Sequence, residues 1–229
     1  MLVHPMPADS HLLARPQPIT CAAPTGLQAL PDANGRDSYL YVPSSYTQDH
    51  PHPLVLLLHG AGGHALHGLD LLRDLADNTG LILLAPASRD STWDVIAQHY
   101  YGADVELIDR SLAMVFADYA IAPAHIAIGG FSDGASYALS LGMDNGDLFS
   151  HVIAFSPGFT VPLAPRGMPR IFISHGTEDP ILPIDICSRR IVPRLREEGY
   201  AVEYLEFAGE HVVPPDVAVR ASNWFLQES

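Results

Sequence analysis

Residues 126–135 read Ile126-Ala127-Ile128-Gly129-Gly130-Phe131-Ser132-Asp133-Gly134-Ala135, and this stretch decides the fold. Gly130, Ser132 and Gly134 make a G-x-S-x-G pattern between an apolar run and a run of small residues, Ala135 to Leu141, that suits a helix. A serine at such a strand-to-helix turn projects above the C-terminal edge of a parallel sheet. The flanking glycines let the strand and helix backbones approach with no Cβ between them. The N–H groups that follow the serine face the same point, so the turn supplies part of an oxyanion hole.

Working outward, five apolar runs alternate with helix-like segments: Leu54–Leu58, Leu81–Ala85, Ile126–Ile128, Val152–Phe155 and Ile171–Ile173. Runs that are apolar throughout suit parallel strands covered on both faces. The segments near 66–79, 104–120, 133–145 and 184–198 carry apolar residues at helical spacing, as in Val105, Ile108, Leu112, Val115 and Phe116. Repeated β–α units predict a wound, mostly parallel twisted sheet with helices on both faces. A last strand near Val202–Phe207 and a closing helix near 215–227 complete it. At the other end, Leu27–Leu30 and Ser38–Val42 flank Asp32-Ala33-Asn34-Gly35, and Asn-Gly between two strand-like runs predicts an antiparallel N-terminal hairpin. Residues 1–26, rich in Pro and Ala, are expected to be irregular and to run over the surface. The 229 residues are read as one domain with no repeat, low-complexity tract or linker.

A serine hydroxyl needs a positioned imidazole to take its proton, and the imidazole needs an acid to fix its tautomer. On folds that carry this elbow the chain order is serine, acid, histidine, each at a strand's C-terminal end. After Ile171–Ser174 comes His175-Gly176-Thr177-Glu178-Asp179-Pro180-Ile181-Leu182-Pro183; after Val202–Phe207 comes Ala208-Gly209-Glu210-His211. Asp179 and His211 are therefore the expected partners of Ser132. Asp179 would also serve as a turn residue before Pro180; Glu178 is the nearest rival acid, and Asp185 falls in the following helix. Of the 12 histidines, only His211 follows both Ser132 and Asp179 in the required order. The second oxyanion donor is expected from Leu58-His59-Gly60-Ala61-Gly62-Gly63 after the first parallel strand, which makes the N–H groups of Ala61 and Asp133 the predicted pair. Trp93, Tyr100 and Tyr101, in the long segment Pro86–Ala103, either line an acyl or alcohol pocket or pack that segment onto the sheet.

Composition excludes other classes. The formal net charge of −14, with 12 Lys and Arg, repels phosphate backbones and anionic lipid surfaces, so nucleic acid is not an expected partner. With 48% hydrophobic and 17% charged residues the chain can bury a sheet. The start lacks a basic and then apolar leader, and no stretch reaches the roughly 18 apolar residues of a membrane span. A cytoplasmic protein is expected, with Cys21 and Cys187 as reduced thiols and a homodimer left open. No phosphate-loop or dinucleotide fingerprint occurs, and His64 and His67 stand without a metal-ligand pattern around them, so neither a cofactor nor a metal is expected.

These motifs together resemble the compact α/β-hydrolases of the phospholipase/carboxylesterase (acyl-protein thioesterase-like) group, and also the polyhydroxybutyrate-depolymerase-like esterases. The likeness runs from about Tyr39 to Trp224 and rests on Leu57–Gly63, Gly129–Gly134, His175–Pro183 and Gly209–His211. It implies Ser132 as nucleophile, Asp179 and His211 as its partners, and Ala61 and Asp133 as oxyanion donors. Thioesterase-like members usually have Gln directly after the serine; Asp133 stands there in this chain. Only fourteen residues, Ser156 to Pro169, separate the fourth and fifth parallel runs, too few for a sizeable cap. The expected activity is hydrolysis of short to medium acyl carboxylic esters through an acyl-serine. Phospholipase or thioesterase activity is a variant of it; a peptidase, or a noncatalytic binding protein on the same scaffold, is the alternative.

Overall fold

The computed structural model describes residues 10–19, 23–30 and 36–227. In chain order the elements are β1 (Gly26–Leu30), β2 (Ser38–Val42), β3 (His52–Leu58), α1 (Ala65–Leu69), α2 (Arg73–Thr79), β4 (Ile82–Ala85), α3 (Asp94–Ala97), α4 (Ala103–Asp118), β5 (Ile121–Phe131), α5 (Asp133–Asp144), β6 (His151–Phe155), β7 (Arg170–Gly176), α6 (Ser188–Glu197), β8 (Val202–Phe207) and α7 (Pro215–Leu226). They build one eight-stranded sheet of order β1-β2-β4-β3-β5-β6-β7-β8. Strands β3 to β8 run parallel, while β2 pairs antiparallel with both β1 and β4. This is the α/β-hydrolase fold, with an antiparallel N-terminal hairpin. The hairpin's Asp32–Gly35 turn lies outside the described residues, as does Cys21.

Alternation along each strand splits the core in two. From β3, Leu54, Leu56 and Leu58 join Ile108 and Leu112 of α4, Leu141 of α5 and Leu195 of α6 on one face. Val55 and Leu57 join Leu69 of α1, Ala76 of α2 and Val217 and Phe225 of α7 on the other. Both faces are covered, which is why the runs read as apolar throughout. The single helix expected over 66–79 is two, because residues 68–75 turn through i to i+3 bonds: Leu71 N–H donates to the Gly68 carbonyl (3.2 Å) and Leu75 N–H to that of Leu72 (3.0 Å). That turn keeps Leu69, Leu72 and Ala76 all buried.

The N-terminal segment departs from the surface path expected of it. Residues 10–19 are irregular, yet Ser10, Leu12 and Ala14 are buried. Asn145, just past α5, accepts the Leu12 N–H (2.8 Å) and donates to the Ser10 carbonyl (2.8 Å), and Asp109 of α4 accepts the N–H groups of Leu13 and Ala14. Side chains thus supply the partners that a buried non-regular backbone requires. Between β6 and β7, residues 156–169 contain no helix or strand, so no cap stands over the strand ends there. Among the described residues no helix is long and apolar enough to cross a membrane.

Candidate active site

Ser132 sits between β5 and α5 at φ 59°, ψ −119°, a backbone conformation that a side-chain-bearing residue adopts only under constraint. The constraint is visible. Ser132 N–H donates to the Phe155 carbonyl of β6 (2.9 Å), and its own carbonyl accepts the Ser136 N–H (3.0 Å) and the Ser136 hydroxyl (3.1 Å). Both elbow glycines are required by close approach. A Cβ on Gly134 would overlap the Leu58 carbonyl oxygen, and one on Gly130 would overlap the backbone of Gly134.

The structure brings Ser132, Asp179 and His211 together. His211 Nδ1–H donates to Asp179 Oδ2 (2.6 Å), and Ser132 Oγ–H donates to His211 Nε2 (2.9 Å), which is the tautomer a base toward serine needs. The acid and histidine loops are laced to each other: Thr177 N–H donates to the Phe207 carbonyl and Glu178 N–H to the Gly209 carbonyl, both at 2.9 Å. Gly176 permits this, since a Cβ there would overlap the carbonyl oxygens of Gly209 and Glu210. Burial by itself would raise the Asp179 carboxyl, but N–H bonds from Leu182, His211 and Ile181 outweigh it and hold the group below the ordinary carboxylate range. Its rivals are elsewhere: Glu178 is exposed, and Asp185 pairs with Arg189 at 2.7 Å.

Three neighbours escaped sequence reading. Phe131, the residue before Ser132, packs its ring on that of His211 with centroids 4.6 Å apart. His175 is fully buried; its Nε2–H donates to the Leu182 carbonyl (2.8 Å) and lies 3.3 Å from Asp179 Oδ2, while Ser188 Oγ–H donates to Nδ1 (2.7 Å). Burial pushes the His175 imidazole below its usual range, so it meets Asp179 as a neutral ring. His59 is also buried, with its pKa lowered by burial to about 4; Nδ1–H donates to the Gly60 carbonyl (2.8 Å) and Nε2 accepts the Ser88 N–H (3.0 Å).

The His59–Gly63 turn lies against the elbow: a Cβ on Gly60 would stand 3.3 Å from the Ser132 Cβ. Among the described residues no hydrogen bond engages the Ala61 N–H. Asp133, as the first residue of α5, has no partner for its own N–H within the helix. Its carboxylate accepts the Thr92 hydroxyl at 2.6 Å. The aromatic trio divides. Trp93 and Tyr101 are core residues at 0% and 1% exposure, the packing role of the two expected for them; Trp93 Nε1–H donates to the His59 carbonyl (2.9 Å) and its ring stacks on Tyr137. Tyr100, at 49% exposure, lies at the surface. A cavity of about 510 Å³ opens beside Gly63, lined by Arg36, Tyr39, His64, Leu66 and Ala87 among others. The rings of His64 and His67 meet at a tilt of 30° with centroids 3.8 Å apart, and among the described residues no three His, Cys, Asp or Glu side chains gather as a metal-ligand set.

Comparison with known proteins gives the same picture of relatedness. Residues 102–211 match the phospholipase/carboxylesterase family model. The chain is 30% identical over 171 residues to a probable feruloyl esterase C of Aspergillus oryzae, covering 71% of this chain and 62% of that one, and 26% identical over 170 residues to feruloyl esterase C of Emericella nidulans, with the same coverage. It thus spans about three-fifths of the length of these relatives. Among solved structures it superposes on the fluorophosphonate-binding serine hydrolase F of Staphylococcus aureus with a TM-score of 0.69 at 14% identity, covering 88% of this chain and 98% of that one. The ferulic acid esterase of Anaeromyces mucronatus, solved with ferulic acid, gives 0.66 at 18% identity and 88% coverage of both chains.

Proposed function

We propose that this α/β-hydrolase, similar to the phospholipase/carboxylesterase family, is a serine-dependent carboxylic-ester hydrolase of short to medium acyl esters. The observation that carries the reading is the line of hydrogen bonds from a serine on a constrained positive-φ elbow, through the two nitrogens of one imidazole, to a buried carboxylate held ionised. Ser132 Oγ attacks the ester carbonyl while His211 Nε2 takes its proton. The resulting imidazolium is stabilised by Asp179, and the oxyanion accepts hydrogen bonds from the Ala61 and Asp133 N–H groups. Collapse expels the alcohol with the proton from His211 and leaves an acyl-serine. Water, deprotonated by the same histidine, attacks that ester and releases the acid and free Ser132.

On this reading the enzyme needs no cofactor, acts on small molecules and resides in the cytoplasm. A second reading of the substrate, hydroxycinnamoyl esters, is favoured by the relatives named feruloyl esterase. A fluorophosphonate probe is expected to label wild type and not Ser132→Ala. An ester panel should show turnover that falls at least about 10³-fold in that variant. A folded Ser132→Ala protein with wild-type turnover would refute the assignment.

A further inference from the structure

The stretch Ser88–Trp93 reaches both halves of the oxyanion site at once. On the side of the His59–Gly63 turn, Gly62 N–H donates to the Ser91 carbonyl (2.6 Å), Trp93 Nε1–H to the His59 carbonyl (2.9 Å) and Ser88 N–H to His59 Nε2 (3.0 Å). On the elbow side, Thr92 Oγ1–H donates to Asp133 Oδ2 (2.6 Å), a distance typical of a hydroxyl on a charged acceptor.

The stretch is itself fastened. Asp104 accepts the N–H groups of Arg89 (2.7 Å) and Asp94 (2.8 Å); Asp94 in turn accepts those of Gly102 (2.7 Å) and Asp104 (3.1 Å), and the Tyr137 hydroxyl (2.9 Å). Tyr137 stands on α5, the helix that Asp133 begins, and stacks on Trp93 with centroids 5.2 Å apart. The segment therefore closes a loop from the turn, through two buried aspartates, back to the helix carrying the nucleophile. An oxyanion hole acts only if its donors are fixed before charge develops. A carboxylate next to the nucleophile must also be held in one place if it is not to disturb the forming oxyanion.

We propose that Thr92 is a positioning residue of the oxyanion hole. Its hydroxyl fixes the Asp133 side chain, and with it the Asp133 N–H, relative to the Ala61 N–H that the same stretch secures through Gly62 and His59. The inference rests on the ester-hydrolase reading and assigns Thr92 no contact with substrate.

The test is a cycle of Thr92→Val, Asp133→Ala and the double variant, with Thr92→Ser as the conservative control, assayed on a neutral butyryl ester and against an alkyl boronic acid that forms a tetrahedral adduct on serine. Each single variant is expected to lower kcat by about 10- to 100-fold, below the roughly 10²- to 10³-fold of deleting a donor outright. KM should stay within about threefold, and the double variant should lose little more than either single one, since both break one bond. Boronic acid affinity should fall with kcat, and Thr92→Ser should stay near wild type. A merely structural Thr92 would lower melting temperature without separating kcat from KM or following the boronic acid. Unchanged kcat in Thr92→Val, losses that multiply in the double variant, or a loss carried by KM would overturn the inference while wild type remains an active esterase. If Thr92→Val does not fold, Asp133→Ala decides: full kcat there overturns the proposal. Wild type that neither hydrolyses esters nor takes the fluorophosphonate label would overturn the function, and this inference with it.

Discussion

Acid should weaken this fold through histidines that the site does not use as a base, and His151 makes the cleanest test. It opens β6 at 4% exposure, edge-on to the rings of Trp224 (5.0 Å) and Phe225 (5.1 Å). The Ser150 hydroxyl donates to the Ile126 carbonyl (3.1 Å), so His151 Nδ1–H donates to Ser150 Oγ (2.8 Å), and Nε2 is left without a partner. Burial, reinforced by the charges of Arg170 and His125, lowers its pKa from 6.5 to about 4. A folded-state pKa below the unfolded one means stability that is complete above pH 6.5 and lost as pH falls through 4. The drop of about 2.5 units corresponds to roughly 3.4 kcal/mol in full, of which about 2 kcal/mol is gone by pH 5. His59, also lowered to about 4 by burial, adds a loss of the same sign. Asp104 runs the other way: burial raises it to about 6, so it favours the folded state in acid and gives that up as pH rises through 6. His175, also lowered by burial, acts in the same direction, so three histidines against one carboxyl leave stability rising with pH between about pH 4 and 6. His151→Phe keeps an aromatic ring between Trp224 and Phe225 and removes one titrating group. Urea unfolding at pH 4.5 to 7.5, followed by tryptophan fluorescence, should give the variant a slope smaller than wild type by about 1.4 kcal/mol per pH unit, with a difference near neutrality of only about 1 kcal/mol for the lost Ser150 bond. Identical slopes in the two proteins would refute the linkage argument.

Gly134→Ala should not assemble the elbow, because its methyl would overlap the Leu58 carbonyl oxygen and lie 2.6 Å from that of His59; a loss of at least about 3 kcal/mol is expected, read as melting temperature and soluble yield. Leu12→Ala should cost about 2–4 kcal/mol in chemical unfolding and Leu13→Ala under about 0.5, since the first side chain is 0% and the second 74% exposed; equal effects would mean the N-terminal segment does not dock. For substrate, kcat/KM should be higher on acetyl, butyryl and octanoyl esters than on palmitoyl. The capless 156–169 segment leaves a long chain mostly in water, where it forgoes the roughly 0.8 kcal/mol per methylene of full burial. Best activity on palmitoyl esters would point to an acyl tunnel instead.

What could be read in advance were features whose cause is local or set by chain order. The inner parallel strands declare themselves because residues such as Val55 and Leu56 are both buried, on opposite faces, whereas the edge strand β8 is only half-buried. Gly130 and Gly134 mark the elbow because their missing Cβ atoms are a local steric requirement, and Asp179 and His211 follow strands in the one order that lets both reach Ser132. The features that stayed hidden depend on side chains meeting backbone across long separations. Trp93 follows the polar run Arg89, Asp90, Ser91 and Thr92, which does not decide between its two expected roles, lining a pocket or packing the segment onto the sheet. It is buried because Asp94 and Asp104 exchange bonds with each other's N–H groups and because Tyr137, on another element, offers a ring to stack on. The N-terminal segment has no periodicity to reveal that Leu12 is core; its docking rests on Asn145 and Asp109, 133 and 96 residues away from the N–H groups they accept. Asp133 illustrates both kinds. Its place directly after the nucleophile is visible in the chain as a carboxylate side chain near the reaction. That the charge is held by a threonine 41 residues earlier is not visible there, because nothing in Arg89–Trp93 distinguishes a hydroxyl facing solvent from one facing a carboxylate. The sequence therefore poses the electrostatic problem at the oxyanion hole, and its answer lies in the tertiary packing of the 88–93 stretch.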